Sequence, residues 1–429
     1  MASVTTYSAV RTTGIYCRPG CGAKPLAENV STFELPAAAE AAGYRACLRC
    51  RPYRVAGTVA DETPELVCRA VQLIIAGLLD EAGEEALGAR LGVSARHLRR
   101  MFHEHLGVTP DQFARSRRAH FARRLLDDTD LGIAEVAFAA GFGSLRQFNR
   151  AMREIFRATP RELRDRRRRG DRLAADGGLV LRLPFTPPYD WEAMSSYLAA
   201  RAVPGVESVV DGVYRRTISL DGEPGLLEIG AGGDDHLILR AHLPFWEGVI
   251  HVVDRAARLV GLDCEPVRAR AHLSADPGLG PLVTARPGVR VPGAWGPFEV
   301  AVQAVVRDQL PRDDAYDVVH KLVEVHGMPV PGLGHSLTHA FPGPQVLTET
   351  ELIGPLAQEV AAGNVVLDGG EDCETLIASL EAVPGVSTKA AHHVVMRLGA
   401  RDAWPFDVDA ERLRPWRSLA AVHRILSDS

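Results

Sequence analysis

The spacing of apolar positions changes character several times along the chain. Near the start, Thr5 to Val10 is strand-like. From about Pro64 to Arg169, apolar residues recur at three- and four-residue intervals with short Gly/Ser turns between them, which predicts helices. Two segments in this stretch share one plan, EEALGARLGVSARHLRRMF and LGIAEVAFAAGFGSLRQFNRAMR. Each predicts a helix, a turn at a glycine (Gly92 or Gly141), a serine N-cap (Ser94 or Ser144) and a second helix. The run RDRRRRGDRLAADGG then predicts a linker. From Leu179 to about Leu282 strands dominate, in LVLRLPF, GVYRRTISL, GLLEIG and HLILRAHL, with helical pieces such as WEAMSSYLAARA between them. From Pro287 helices return, and LEAVPGVSTKAAHHVVMRL predicts a helix, a tight Pro-Gly hairpin and a second helix. The pattern divides the chain into 1–57, 62–169, 179–282 and 287–429, a multidomain α+β protein.

Composition narrows the class. At 429 residues, 46% hydrophobic and 24% charged, the chain is ordinary for a globular protein of several domains. It holds no apolar run of about 18 residues, so no membrane span is expected. No basic segment followed by an apolar core opens it, so no secretion signal is expected. The net charge of −5 hides an asymmetry. Ser94 to Arg169 contains 18 Arg, no Lys and 9 acidic residues, a surplus of nine positive charges that leaves about −14 on the remainder. A basic island in an acidic chain points to a polyanion, most simply nucleic acid.

Four of the seven cysteines cluster as Cys17, Cys21, Cys47 and Cys50, spaced C-x3-C, 25 residues, C-x2-C. Two close pairs brought together by a fold give an all-thiolate tetrahedral site, the preferred shell of zinc. Cys68, Cys264 and Cys373 are scattered, which argues against a disulfide framework and for a reducing, cytoplasmic and nucleoid-associated location. Arg11, Arg18, Arg45, Arg49 and Arg51 crowd the same segment. A purely structural knot does not need them, whereas one that works on a phosphate backbone does.

The strings AVRTTGIYCRPGC and GYRACLRCRP closely resemble the zinc domain of the Ada family. The resemblance implies that Cys17 is both methyl acceptor and zinc ligand, that Cys21, Cys47 and Cys50 complete the shell, and that Arg18, Arg45 and Arg49 meet DNA. The implied chemistry is transfer of a methyl group from a DNA phosphotriester to sulfur; a zinc ribbon without chemistry is the bland alternative. Members of that family usually carry further residues before AVRTTG, so an unsupported sheet edge is expected here.

The string AFAAGFGSLRQFNRAMREIFRATPRELR resembles the signature of AraC-type activators. This implies an all-α double helix-turn-helix on double-stranded DNA, with alkylated DNA and promoter sites as partners and RNA polymerase as a candidate partner. The implied contact residues are Arg96, His97, Arg99 and Arg100 in the first unit and Ser144, Arg146, Gln147 and Asn149 in the second. The bland alternative is a helical bundle with a solvated basic face.

The string LRLPFTPPYDWEAMSSYLAARAVPGVESVVDGVYRRTISL, and the stretch from ARPGVRVPGAWGPFEVAVQAVVRDQL to DAWPFDVDAERLRPWRS, resemble in turn the two parts of AlkA-type 3-methyladenine glycosylases, a TBP-like α+β domain before a helix-hairpin-helix domain. Such enzymes flip a damaged base from the duplex and need no metal or cofactor. The resemblance implies Asp407, after Trp404-Pro405, as the carboxylate that stabilises positive charge on the sugar, with Asp409 as fallback. It implies Gly385, Ser387 and Lys389 of the hairpin as DNA contacts. The match is imperfect. Ser387 replaces the hairpin's second glycine, Lys389 fills a slot where an aromatic is expected, and only Gln309 remains of the family's GQQ string in RDQLPRD. AERLRPWRS follows Asp407 almost at once, as though a helix were deleted, and HRI at His423 to Ile425 replaces the usual HLW. Two surface carboxylates beside a broken domain are the bland alternative. A lysine in that slot attacks the sugar in related lyases, which gives Lys389 a second candidate role. No PCHR motif of the guanine-methyl acceptors occurs.

Overall fold

The computed structural model describes residues 6–54, 59–60, 63–168, 171–173 and 177–428. The chain forms two compact units. The first comprises Met1–Thr186 with Phe245–Asp254 and Leu262–Val267; the second comprises Pro187–Pro244, Arg255–Gly261 and Arg268–Ser429.

The first unit opens with a small four-stranded sheet in the order Val30–Phe33, Tyr7–Val10, Ile15–Cys17, Arg45–Ala46. The first two pairings are antiparallel and the last is parallel. Tyr7–Val10 is therefore an inner strand, covered by Val30–Phe33 in register from Tyr7 to Val10. The unsupported edge expected at this strand does not occur, because a later strand folds back to pair with it.

The helical region follows the predicted plan closely. Helix Glu65–Ile75 leads to the pair Glu84–Arg90 and Ala95–Leu106, and the long helix Pro110–Asp128 connects to the pair Ile133–Ala139 and Leu145–Phe156. Gly92 and Gly141 take φ of +70° and +78°, a left-handed conformation that glycine adopts without strain. Ser94 and Ser144 each accept a hydrogen bond from the backbone N–H three residues on, at 3.2 Å. At Gly88 a Cβ would lie 2.6 Å from the Val93 carbonyl oxygen, so only glycine lets the first pair turn so tightly. Apolar residues at helical spacing, among them Val67, Ala70, Ile74, Leu87, Leu98, Phe102 and Phe113, form one core, to which Leu35 and Ala37 of the cysteine-bearing segment also belong.

The basic run after the second pair is not a free linker where it is described. Arg164 donates to the Leu131 carbonyl at 2.8 Å, Arg167 to the Thr129 carbonyl at 2.9 Å, and Arg172 pairs with Asp130 at 2.6 Å. These contacts cap the carbonyl-rich end of helix Pro110–Asp128 with positive charge.

In the second unit, Glu207–Val210, Val213–Leu220, Glu223–Gly233 and His236–His242 run antiparallel in sequence order, beside helix Trp191–Ala199. Helices follow: Pro297–Gln309, Arg312–His326, Gly354–Ala361, Cys373–Glu381, Thr388–Arg397 and Arg417–Ser427. The shortened stretch before the last helix is bridged compactly. Arg417 grips Asp402 with two nitrogens at 2.7 and 3.0 Å, and Ser418 accepts from the Ala403 N–H at 3.0 Å while donating to the Ala400 carbonyl at 2.6 Å. Leu419, Ala420, Ala421 and Val422 of the last helix are buried.

Candidate metal centre and nucleic-acid interface

The sheet register builds the sulfur cluster. The parallel pairing Tyr16↔Ala46 sets Cys17, at the end of one strand, beside Cys47, just past the end of the next. Tight turns bring in the other two: Cys21 N–H donates to the Arg18 carbonyl at 3.3 Å, and Arg51 N–H to the Cys47 carbonyl at 3.0 Å around Cys50. The four sulfurs lie within 4.8 Å of one another.

As bare thiols the cluster is frustrated. Burial and the neighbouring cysteines push Cys17 well above the ordinary thiol range and Cys50 up to about 12. Cys21, against a desolvation penalty, is held at about 7 by hydrogen bonds from the Ala23 N–H and Arg49. Four sulfurs so close cannot all be anionic without a cation among them, and an all-thiolate set of this size suits zinc. Cys17 is the most enclosed of the four, at 7% exposure.

The arginines divide. Arg49 is exposed and its guanidinium reaches Cys21 Sγ at 4.0 Å; Arg18 and Arg45 are half-buried near the cluster. Arg51 instead turns inward, with φ of +52°, to pair with Asp171 and, at 3.5 Å, with Asp127. Asp127 also accepts from Tyr53 at 2.7 Å and pairs with Arg123 at 2.6 Å. Arg51 thus ties the cysteine segment to the long helix rather than to DNA. A second tie, invisible in the sequence, runs from Tyr16, next to Cys17, to Glu40 at 2.6 Å and His120 at 3.2 Å.

The two recognition helices differ in what they leave available. In the first, Arg96 is exposed, Arg99 is held by Glu84, and Arg100 meets His97 Nδ1 at 2.9 Å. In the second, Arg146 and Gln147 are exposed, while Ser144 is spent as the N-cap and Asn149 donates to the Leu145 carbonyl at 2.8 Å.

The C-terminal hairpin forms as predicted. Gly385 has φ of +87°, and Ser387 sits at φ −84°, so no glycine is needed there. Ser387 caps helix Thr388–Arg397 by accepting from Ala390 N–H at 3.1 Å and donates its own proton to Asp308. Lys389 Nζ is 3.7 Å from the same Asp308. Gln309 donates to the Gly385 carbonyl at 2.7 Å and so ties helix Pro297–Gln309 to the hairpin. Asp308 was not singled out from the sequence; its position beside Gln309 was the available signal. Asp407 is exposed in a loop closed by Trp404 Nε1 donating to the Val408 carbonyl at 2.7 Å. Asp409 accepts from the Glu411 N–H at 3.0 Å and so serves the following turn.

A sulfur cluster, two capped helix-turn-helix units and a helix-hairpin-helix on one chain define a DNA-repair regulator of composite build. Family profiles match the metal binding domain of Ada over residues 2–53, a helix-turn-helix domain over 87–166 and the AlkA N-terminal domain over 180–296. The chain belongs to the family of Ada/AlkA fusion proteins: it is 36% identical, across 97% of its length and 91% of the relative's, to the probable bifunctional transcriptional activator/DNA repair enzyme AlkA of Mycobacterium tuberculosis. It is also similar to DNA-3-methyladenine glycosylase 2 of Escherichia coli, at 26% identity over 56% of this chain and 95% of that protein. The Escherichia coli bifunctional transcriptional activator/DNA repair enzyme Ada is 34% identical over 36% of this chain and 43% of its own length. Among the described residues, no helix is long and apolar enough to cross a membrane.

Proposed function

We propose that the chain senses and repairs alkylated DNA. Its first unit takes a methyl group from a DNA phosphotriester onto Cys17 and binds promoter DNA, and its second excises alkylated bases such as 3-methyladenine. The observation that carries the first part is the convergence of four sulfurs in one unit with two capped helix-turn-helix pairs. Zinc, held by Cys17, Cys21, Cys47 and Cys50, would keep these sulfurs deprotonated at neutral pH. The Cys17 sulfur then attacks the methyl carbon; the S–C bond forms as the C–O bond breaks, and the electron pair leaves with the phosphodiester oxygen. The thioether is not turned over, so each chain acts once. Methylation removes one negative charge from the cluster, which favours approach of DNA phosphates. Arg18, Arg45 and Arg49 would meet those phosphates, a role supported for Arg49 by its exposed guanidinium 4.0 Å from Cys21 Sγ, and the exposed Arg96, Arg146 and Gln147 would reach the grooves. In the second unit Asp407 would stabilise the cationic sugar while Gly385, Ser387 and Lys389 present the hairpin to a phosphate.

The experiment uses the full chain and methylated duplex DNA. Mass spectrometry is expected to find one added methyl on Cys17, absent in Cys17→Ala, and free 3-methyladenine that vanishes in Asp407→Asn. Methyl on another cysteine would overturn the acceptor assignment. A second reading, a methyl sensor whose glycosylase domain is inert, is favoured by one observation: Asp407 stands exposed with no hydrogen-bond partner among the described residues. It predicts methyl transfer without base release.

A further inference from the structure

Positive charge accumulates in the second unit in a way that base excision does not use. Helix Thr388–Arg397 carries Lys389, His393 and Arg397 at four-residue spacing, hence along one face. The Arg397 guanidinium carbon lies 5.6 Å from the centroid of the Tyr197 ring, and that of Arg201 stacks on the same ring at 4.1 Å. Arg307, from helix Pro297–Gln309, donates to the Ala200 carbonyl at 3.4 Å, one residue before Arg201. Arg397 is buried and anchored on the Gly293 carbonyl at 2.7 Å. Two guanidinium groups thus flank one aromatic ring, and a third reaches the backbone next to Arg201. Among the described residues, none of the three pairs with a carboxylate within 4.0 Å.

The cluster is electrostatically strained. Burial, and then Arg201, lowers the Arg307 pKa to about 10. Burial and Arg397 likewise lower Arg201, and burial with Arg397, Arg201 and Arg307 drives His393 far below the imidazole range. Arg307 keeps solvent contact. The Tyr197 hydroxyl is buried (the residue is 1% exposed) and has no hydrogen-bond partner. Stacking on the ring satisfies the face of Arg201 but leaves its forked N–H groups without a protein acceptor among the described residues, and an isolated buried hydroxyl is costly. An oxyanion would meet both needs, since it accepts from several guanidinium forks and from a phenol at once.

We infer that Tyr197, Arg201, Arg307 and Arg397 form a phosphate-binding site, with His393 beside it and Lys389 at its outer end. The inference stands apart from base excision and constrains it, because a cationic alkylated base would be repelled here. The phosphate is that of a DNA strand passing the hairpin or of a free phosphate compound.

The test uses the full-length protein, with thermal unfolding in sodium phosphate and in sodium chloride at equal ionic strength, and DNA affinity measured across a salt series. Phosphate is expected to raise the unfolding temperature of the second unit by several degrees beyond chloride. Arg307→Gln, a change at an exposed side chain, should weaken phosphate binding about tenfold or more. Any general stabilisation by phosphate is shared by both proteins and cancels. Tyr197→Phe gives opposite signs: a higher unfolding temperature without phosphate and a smaller gain with it. If a DNA phosphate occupies the site, Arg307→Gln also lowers the salt slope of DNA binding by about one and phosphate competes with DNA. If a free phosphate compound does, DNA affinity is unchanged while the phosphate effect is lost. Equal unfolding temperatures in phosphate and chloride, with DNA binding untouched by Arg307→Gln, would overturn the inference.

Discussion

The sulfur cluster and the Asp407 loop are the two candidate reactive centres, and they are built in opposite ways. At the cluster every donor is placed by backbone: two strands in fixed register carry Cys17 and Cys47, and two turns supply Cys21 and Cys50. Around it, Arg51, Tyr53 and Tyr16 reach across to the long helix, so the site is braced by a buried polar network. The Asp407 carboxylate has no such brace among the described residues: its loop is held beside it, by the Trp404 indole N–H on the Val408 carbonyl and by Phe406 packed against Trp404 and Arg424, while Asp407 itself is exposed. The contrast teaches that the first centre is assembled by the fold, whereas in the function proposed for Asp407 its carboxylate would have to be desolvated and oriented by DNA.

Five measurements would break or sharpen that contrast. The largest effect is expected from zinc removal. Structural zinc in small domains supplies about 10–16 kcal/mol of folding free energy, as much as a whole domain's net stability of about 5–15 kcal/mol. A chelator should therefore unfold the cysteine segment, read as lost protection of its amides in hydrogen exchange, while the Asp407 loop is unaffected. Equal protection with and without chelator would mean that the brace, and not the metal, holds the cluster.

Next comes the brace itself. Arg51→Met removes one cation from the buried Asp127, which keeps Arg123 and Tyr53, and from Asp171, which keeps the Arg168 N–H. Breaking a buried pair costs about 3–5 kcal/mol, and a cost at or below the lower end of that range is expected. Denaturant unfolding of the first unit measures it.

The third concerns acid. Burial, with Arg286 adding repulsion, lowers His423 in the last helix from 6.5 to about 4. Above pH 6.5 the imidazole is neutral in folded and unfolded chains alike. Between 6.5 and 4 only the unfolded chain takes up the proton, so stability of the second unit falls, by about 3 kcal/mol at pH 4. His393 and His392, also lowered, add in the same direction. His423→Leu should flatten the fall; an unchanged pH profile would remove His423 from the account.

Smaller still, Ser94→Ala and Ser144→Ala each remove an N-cap and should cost about 1 kcal/mol, seen as a lower unfolding midpoint of the first unit. The smallest stability effect is expected at Asp407→Asn, within about 0.5 kcal/mol, since nothing in the fold leans on that carboxylate. Asp409→Asn, by contrast, weakens the turn at Glu411. A strongly destabilised Asp407→Asn would show the loop to be braced after all.

Much of this was legible in the chain because the rules involved are local. Glycine at a left-handed turn, serine before a helix and cysteines two or three residues apart each act over a few residues, so Gly92, Ser94, Gly141, Ser144 and the paired cysteines could be placed from their neighbours alone. The same locality explains the misreadings. Arg51 reads as one more basic residue beside the cysteines, yet its left-handed backbone turns it toward Asp171, 120 residues away. Ser387 reads as a damaged hairpin glycine, yet its ordinary φ and its bond to Asp308 make it a cap.

The sequence by itself determined which segments fold as helices, where they begin and turn, and which residue types could hold a metal, because those choices rest on backbone conformation and short-range spacing. Only the tertiary structure decided which charges are neutralised. Pairing depends on which distant side chains share a low-dielectric interior, and the chain order of Arg51, Arg99, Arg201 and Arg397 gives no sign that the first two are matched by carboxylates while the last two flank one tyrosine.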